Sequence, residues 1–265
     1  MHFSFGRVGA MCLRHFYVLR GSWPRLVEMA YWPTMQMIIW GFFSTFLYQN
    51  SSWLAGAFGV LIAAVMLWDV LFRGQLGFSL SFLEELWARN LANLYCSPLT
   101  PTEHVASLFT MALIRALIGV LPAMVLAIPF YHFSIFGLGL PLGAFFFCLL
   151  LMGCSMGLIT TAMILRFGLA AENLAWFLVF LLAPVSAVYY PVSILPGWLQ
   201  AVAHALPSSY VFEGMRAQMF DHVFRWDLFA ASIGLNLIYL LVGLGVYLWS
   251  FSRARALGLL LQVGE

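Results

Sequence analysis

Residues 138–165 carry no acidic or basic side chain, and a helix of that length outreaches the roughly 30 Å of a bilayer's hydrocarbon core. Such a segment needs lipid as its solvent. Elsewhere the chain is nearly as apolar: 63% of its 265 residues are hydrophobic and 8% are charged, where a soluble domain has about 25% charged residues. That much apolar surface cannot be hidden inside one globule of this size. The chain reads as an all-α integral membrane protein forming a single membrane domain over residues 1–265.

Six transmembrane helices are expected. Residues 29–48 are uncharged and long enough to form the first span. The second is 54–72, with Asp69 near its end, and the third is 105–130, with Arg115 inside it; both tolerate a charge that faces the bundle interior. The fourth is 138–165, where Gly153 and Gly157 have the GxxxG spacing of close helix approach. The fifth is 173–190, kinked or broken near Pro184, and the sixth is 228–251. Residues 192–212 are also apolar, but Pro191, Pro196 and Pro207 leave room there only for a short helix. Six spans place Arg7, Arg14, Arg20, Arg25, Arg73, Arg89, Arg166, Arg253 and Arg255 on one face, with only Arg216 and Arg225 opposite. By the positive-inside rule that face is cytoplasmic and holds both termini.

Several chemistries are excluded by residue type. All twelve basic residues are arginine, so neither a Walker A lysine nor a Schiff-base lysine can reside in this chain. A net charge of +2 without a basic run gives no footprint for nucleic acid. Cys12, Cys96, Cys148 and Cys154 are scattered singly and read as small buried apolar residues. The six histidines lack ligand spacing, so no metal site is expected. His204, Ser208 and Ser209 are close in sequence, but they fall on an outer break and read as a polar turn.

Three segments lie outside the spans. Residues 1–28 interleave arginines with apolar positions, as an interfacial helix does. Residues 79–103 form the long polar interruption between spans two and three. They read as a short amphipathic helix with Ser81 as N-cap and Glu84 as its capping-box partner. Phe82, Leu83, Leu86, Leu91 and Leu94 lie on one side, and Glu84, Glu85, Arg89 and Asn93 mostly on the other. Ser97-Pro98 and Thr100-Pro101 end that helix. Residues 190–227 read as an outer re-entrant hairpin of two short helices, 197–206 and about 208–220. Tyr189, Tyr190, Pro191 and Trp198 there are either interface anchors or an outer gate. Within the membrane, Asp69 and Arg115 are expected to pair, as structure rather than substrate site. Glu172 stands at the mouth of span five as an alternative partner for Arg115 or Arg166.

The order of parts, together with two motifs, resembles the permease subunits of ABC-2 type exporters, with a type V exporter-like fold. One motif is Glu84-Glu85 through Arg89 to Ser97-Pro98-Leu99, departing from the family at Asn90-Leu91, where Gly-Thr is common. The other is Tyr190-Pro191-Val192-Ser193, then Leu195-Pro196-Gly197-Trp198-Leu199-Gln200 and Glu213-Gly214-Met215-Arg216. The resemblance implies a permease in the bacterial inner membrane, with a homodimer favoured over a heterodimer, working with two copies of a separate ATPase subunit. That subunit would hold ATP and magnesium, leaving no cofactor in this chain. Segment 79–103 would be the coupling helix, with Glu84, Glu85 and Arg89 as polar contacts and Trp87 as apolar anchor. An amphiphilic, lipid-like or sugar-bearing cargo suits the aromatic share of 17%. The alternatives are a membrane-embedded enzyme modifying lipid or glycolipid, and a membrane scaffold.

Overall fold

A computed structural model describes residues 3–50 and 58–258. The described chain is helical, with no strand: α1 (Phe5–Arg20), α2 (Trp23–Asn50), α3 (Phe58–Trp87), α4 (Leu91–Cys96), α5 (Pro101–Tyr131), α6 (Leu140–Phe167), α7 (Glu172–Leu182), α8 (Gly197–His204), α9 (Pro207–Phe220) and α10 (Trp226–Ala256). Among the described residues, four helices are long and apolar enough to cross a membrane, namely α3 from Gly59, α5, α6 and α10. They hold the expected second, third, fourth and sixth spans. The first positions of the second span and the connection at 51–53 lie outside the described residues. α2, 28 residues long, contains the expected first span. The fifth is helical only at its start: α7 stops after 11 residues, about 16 Å, and turns lead past Pro184 to Tyr190.

α3 is the central element, with α6 and α5 packed most closely along it and α2 and α7 beside them. Of its most apolar stretch 83% is buried within the chain, against 17% for α10. The α3–α6 contact depends on missing side chains. A Cβ on Gly153 would lie 2.5 Å from the Leu71 carbonyl oxygen, and one on Gly157 would lie 2.7 Å from Phe78 Cβ. The GxxxG spacing therefore does what small residues do in membranes, letting backbones approach. α10 packs on the other side of α6, where Gly243 faces the Ser155 carbonyl and Asn236 Nδ2 donates to the Cys148 carbonyl at 3.2 Å.

The polar interruption is organised differently from its sequence reading. No new helix begins at Ser81. α3 runs unbroken for 30 residues, about 45 Å, and the Ser81 hydroxyl donates to the Gly77 carbonyl at 2.7 Å, one turn back in the same helix. Ser81 caps nothing, and Glu84 is no capping-box partner. The reason is burial: Gln75, Ser79, Ser81 and Glu85 all face neighbouring helices, so what reads as a surface segment is an interior lining. α3 ends instead at Arg89, whose φ of 54° is left-handed. Arg89 N–H donates to Leu86 O at 2.9 Å and Asn90 N–H to Glu85 O at 3.0 Å, the Schellman pattern of a helix C-terminus. The capping box belongs to α5, where Glu103 N–H donates to Thr100 Oγ1 and Thr100 N–H to the Glu103 carboxylate, with Pro101 in the first turn.

Cys148 and Cys154 are buried as expected, and Cys12 partly so. Cys96 is exposed, because it closes the short surface helix α4.

Candidate functional site

Where α3 ends and α5 begins, four helices meet through charge. On α1, Arg7, Met11, Arg14 and His15 follow helical spacing, which turns them toward one side. Arg7 Nε and Nη2 donate to the two oxygens of Glu103 at 2.9 and 2.6 Å, and Ser4 N–H adds a third bond at 2.7 Å. Arg14 Nε and Nη2 grip both oxygens of Glu85, at 2.7 and 3.0 Å, while Asn90 Nδ2 donates to the same carboxylate at 2.8 Å. These are forked, charge-assisted bonds, the strongest class available to side chains. Glu84 accepts from Arg115 Nη2 of α5 at 2.7 Å and from Arg25 Nη1 of α2 at 3.0 Å.

His15 lies at the centre of this junction, 1% exposed, with Nδ1 3.9 Å from Glu84 Oε2 and 4.0 Å from Glu85 Oε1. Burial holds its pKa below the ordinary histidine value. The two carboxylates push it up, and Arg115 and Arg14 push it down again. Nearby, the Tyr95 hydroxyl of α4 stands 2.7 Å from His104 Nδ1 and 3.4 Å from the Tyr247 hydroxyl, and its ring packs on Phe251. Burial keeps the Tyr95 phenol well above its usual range, and therefore neutral. This second cluster ties α4 to α5 and α10.

Of the four residues expected at a docking surface, two face inward. Glu84 and Glu85 make the internal pairs just described. Trp87, 44% exposed, and Arg89 point outward, with Ala88, Asn93, Cys96, Ser97 and Pro98 beside them.

The expected Asp69–Arg115 pair is not formed. Arg115 reaches Glu84, while the cation acting on Asp69 is Arg73, one turn along α3. Two positions four apart on one helix share a face, whereas Asp69 and Glu84 lie about 22 Å apart along α3. Glu172 pairs with neither Arg115 nor Arg166, since Arg166 stacks on aromatic rings. Arg73, expected on the cytoplasmic side, lies about 21 Å inside the end of α3. There it lines a cavity of about 230 Å³ with Glu28, Tyr31 and Trp32 of α2, Phe72 of α3 and Trp176 of α7. Among the described residues neither Arg73 Nε nor Asp69 Oδ2 has a hydrogen-bond partner.

At the opposite end, Tyr189 stacks on Trp40 of α2 with ring centroids 4.5 Å apart. The Tyr190 hydroxyl donates to the Pro184 carbonyl, Pro191 starts a 3-10 turn, and Trp198 is 71% exposed. Glu213 of α9 accepts from Val192 N–H at 2.8 Å and pairs with Arg216, whose Nη1 donates to the Ala187 carbonyl at 2.9 Å. The motif residues from 190 and 213 onward are thus one cross-linked unit. Ser208 donates to Ser186 and Ser209 to the Ala203 and Leu206 carbonyls, so these hydroxyls serve turns rather than a nucleophile–histidine pair. Among the described residues no group of three or more His, Cys, Asp or Glu could hold a metal ion.

A family model described as "ABC-2 type transporter" matches residues 16–220. The chain belongs to the ABC-2 type transporter family. It is the permease component of an ABC transporter, a multi-pass membrane protein, and permeases of this family associate with an ABC ATPase. As a transport permease it is not itself an enzyme, and the lipid-modifying alternative gives way. No curated protein matched the sequence.

The residues that sequence reasoning missed are Arg7, Arg14, His15, Arg25 and Glu103. Two signals were there. Thr100-x-x-Glu103 before an apolar run is itself a capping-box signature, and Arg7 and Arg14, seven apart, are two turns apart on one helix face.

Proposed function

We propose that this ABC-2 permease is the membrane subunit of an ATP-driven exporter for an amphiphilic, lipid-like or sugar-bearing substrate. It works in the bacterial inner membrane with six crossings and both termini cytoplasmic. It pairs as a homodimer and docks two ATPase copies, which hold the ATP and magnesium. The observation that carries the reading is the continuity of α3. One unbroken helix joins the exposed Trp87 end to Phe72 and Arg73 at the aromatic cavity and to Asp69 beyond it. A push at Trp87 therefore travels about 20 Å into the membrane without a hinge. The cavity supports the substrate class, because four aromatic rings suit the apolar or sugar portion and Arg73 and Glu28 suit polar or charged groups. Re-entrant placement of α8 and α9, and a gate at Tyr189, Tyr190, Pro191 and Trp198, complete the proposal on the outer side.

Docking would use Trp87 as the apolar anchor and Arg89 as the outward charge, while Glu84 and Glu85 act from behind by holding α1, α2 and α5 to the end of α3. Arg89 offers an unusually clean test. Its left-handed φ costs a non-glycine residue about 1 kcal/mol, so Arg89→Gly relaxes the backbone while deleting the contact. Tagged permease purified from its native membrane should bring down a Walker-motif ATPase. Arg89→Gly and Trp87→Ala should lower that recovery and the substrate-stimulated ATP hydrolysis several-fold without lowering the melting temperature. Unchanged recovery and hydrolysis in the double variant would reject the docking assignment.

A further inference from the structure

At the end of the bundle where α6 and α10 terminate, three cations gather without an acid paired to them among the described residues. Arg166 lies in the last turn of α6, and Arg253 and Arg255 in the last turn of α10. Trp249, half exposed, is contacted by the first two. The Arg166 guanidinium is 5.7 Å and the Arg253 guanidinium 5.2 Å from its ring centroid. Among the described residues none of these three arginines has a carboxylate partner, whereas Arg7, Arg14, Arg25, Arg115, Arg216 and Arg225 each pair with an acid. A cleft of about 100 Å³ opens between the two helices, lined by Leu165, Arg166, Trp249, Ser250, Arg253 and Leu257.

The charge balance leaves this cleft positive. Each helix C-terminus contributes about half a negative charge, so the two together offset roughly one of the three guanidinium groups. About two positive charges remain, and the shared indole keeps two of the cations near the cleft. The neighbouring surface is apolar. α10 exposes Ile238, Leu241, Val242, Val246 and Trp249 at helical spacing, a stripe that runs along the membrane-crossing helix up to Arg253. A ligand matching both features has phosphate at the helix ends and hydrocarbon along the stripe.

We infer that this cleft is a binding site for an anionic phospholipid of the leaflet in which α6 and α10 end. Arg166 and Arg253 bind the phosphate, Trp249 positions both guanidinium groups and borders the glycerol region, and the acyl chains lie along α10. A lipid carrying two phosphates fits the residual charge best. Trp249, Arg253 and Arg255 lie beyond the segment matched to the family and Arg166 within it, and none of these four residues takes part in the docking or cavity assignments above.

The test is native mass spectrometry of the full-length chain in detergent, titrated separately with cardiolipin, phosphatidylglycerol, phosphatidylethanolamine and inorganic phosphate. Cardiolipin should form a one-to-one adduct at the lowest concentration, phosphatidylglycerol at a higher one and zwitterionic phosphatidylethanolamine least. Arg166→Gln and Arg253→Gln should each weaken the cardiolipin adduct roughly fivefold, and the double variant more. Arg20→Gln, at an exposed arginine on α1, should leave it unchanged. These arginines are exposed, and the lipid-free melting temperature of each variant checks folding. Equal binding of phosphatidylethanolamine, a double variant that binds like the parent, or an equal loss in Arg20→Gln would overturn the site. Competition by inorganic phosphate at the lipid's own concentration would also overturn it, by marking a site for soluble anions.

Discussion

Removing Glu84 should cost more than removing its buried partner. Arg115 is 5% exposed and among the described residues its one carboxylate contact is Glu84, whereas Glu84 has two arginine partners, Arg115 at 2.7 Å and Arg25 at 3.0 Å. Glu84→Leu strands a buried guanidinium, a defect worth about 3–5 kcal/mol. Arg115→Met leaves Glu84 paired with Arg25 and should cost about 1–2 kcal/mol. In Glu84→Leu/Arg115→Met no buried charge is left alone, so its cost should fall short of the sum by at least about 2 kcal/mol. At roughly 2–4 °C per kcal/mol for a chain of this size, Glu84→Leu should lower the melting temperature in detergent by about 6–20 °C. The same cycle on Asp69→Asn and Arg115→Met should be additive, since those groups do not meet. The reasoning fails if the Glu84/Arg115 cycle is additive to within about 0.5 kcal/mol, or if Arg115→Met proves the costlier single change.

Three further outcomes follow from the packing and the buried histidine. Gly153→Ala places a methyl 2.5 Å from the Leu71 oxygen and 2.9 Å from the Gln75 nitrogen. Backbone cannot turn aside as a side chain can, so a loss of about 1–3 kcal/mol is expected in thermal unfolding. Gly245→Ala on α10 meets nothing within 4 Å and should gain up to about 1 kcal/mol. For His15, the folded pKa lies below the unfolded value of 6.5. Its contribution is therefore complete above pH 6.5 and is lost as the pH falls toward the folded pKa, because only the unfolded chain takes up the proton. Melting curves at pH 7.5 and 5.5 should show a smaller pH dependence in His15→Gln, by at most about 1.4 kcal/mol per pH unit. An identical dependence in both proteins would show that His15 titrates normally.

Helices that apolar length alone specifies were legible to within a few residues. α6 and α10 needed no knowledge of partners, because lipid is the only solvent for an uncharged run of that size. α3 was misread for the same reason. Gln75, Ser79, Ser81, Glu84 and Glu85 look like a surface to any rule that equates polarity with water. Four of them are fully or almost fully buried, and Glu84 is 11% exposed. Periodicity around Gly74 and Gly77 carries no sign of what the missing side chains meet. Leu150 and Ala112 fill those places, which only the packed bundle reveals.

Site legibility divided along the same line. Trp87 and Arg89 are exposed as expected, but because α3 ends there, whereas the sequence reading places both inside a helix running on to Ser97-Pro98. The choice of ionic partners was not local. Glu103 bonds a residue 96 positions earlier and Glu85 one 71 earlier, while Asp69 and Arg115, adjacent in a span diagram, never meet. A charge inside a membrane bundle pairs with whatever cation shares its depth and faces it, and depth depends on where each helix starts. Because α3 extends 15 residues beyond the expected end of the second span, Glu84 rather than Asp69 arrives at the level of Arg115. That single shift in helix length puts Arg73 in the cavity with Glu28, Tyr31 and Trp32 and turns Glu84 and Glu85 inward. It leaves Trp87 and Arg89 exposed at the end of α3.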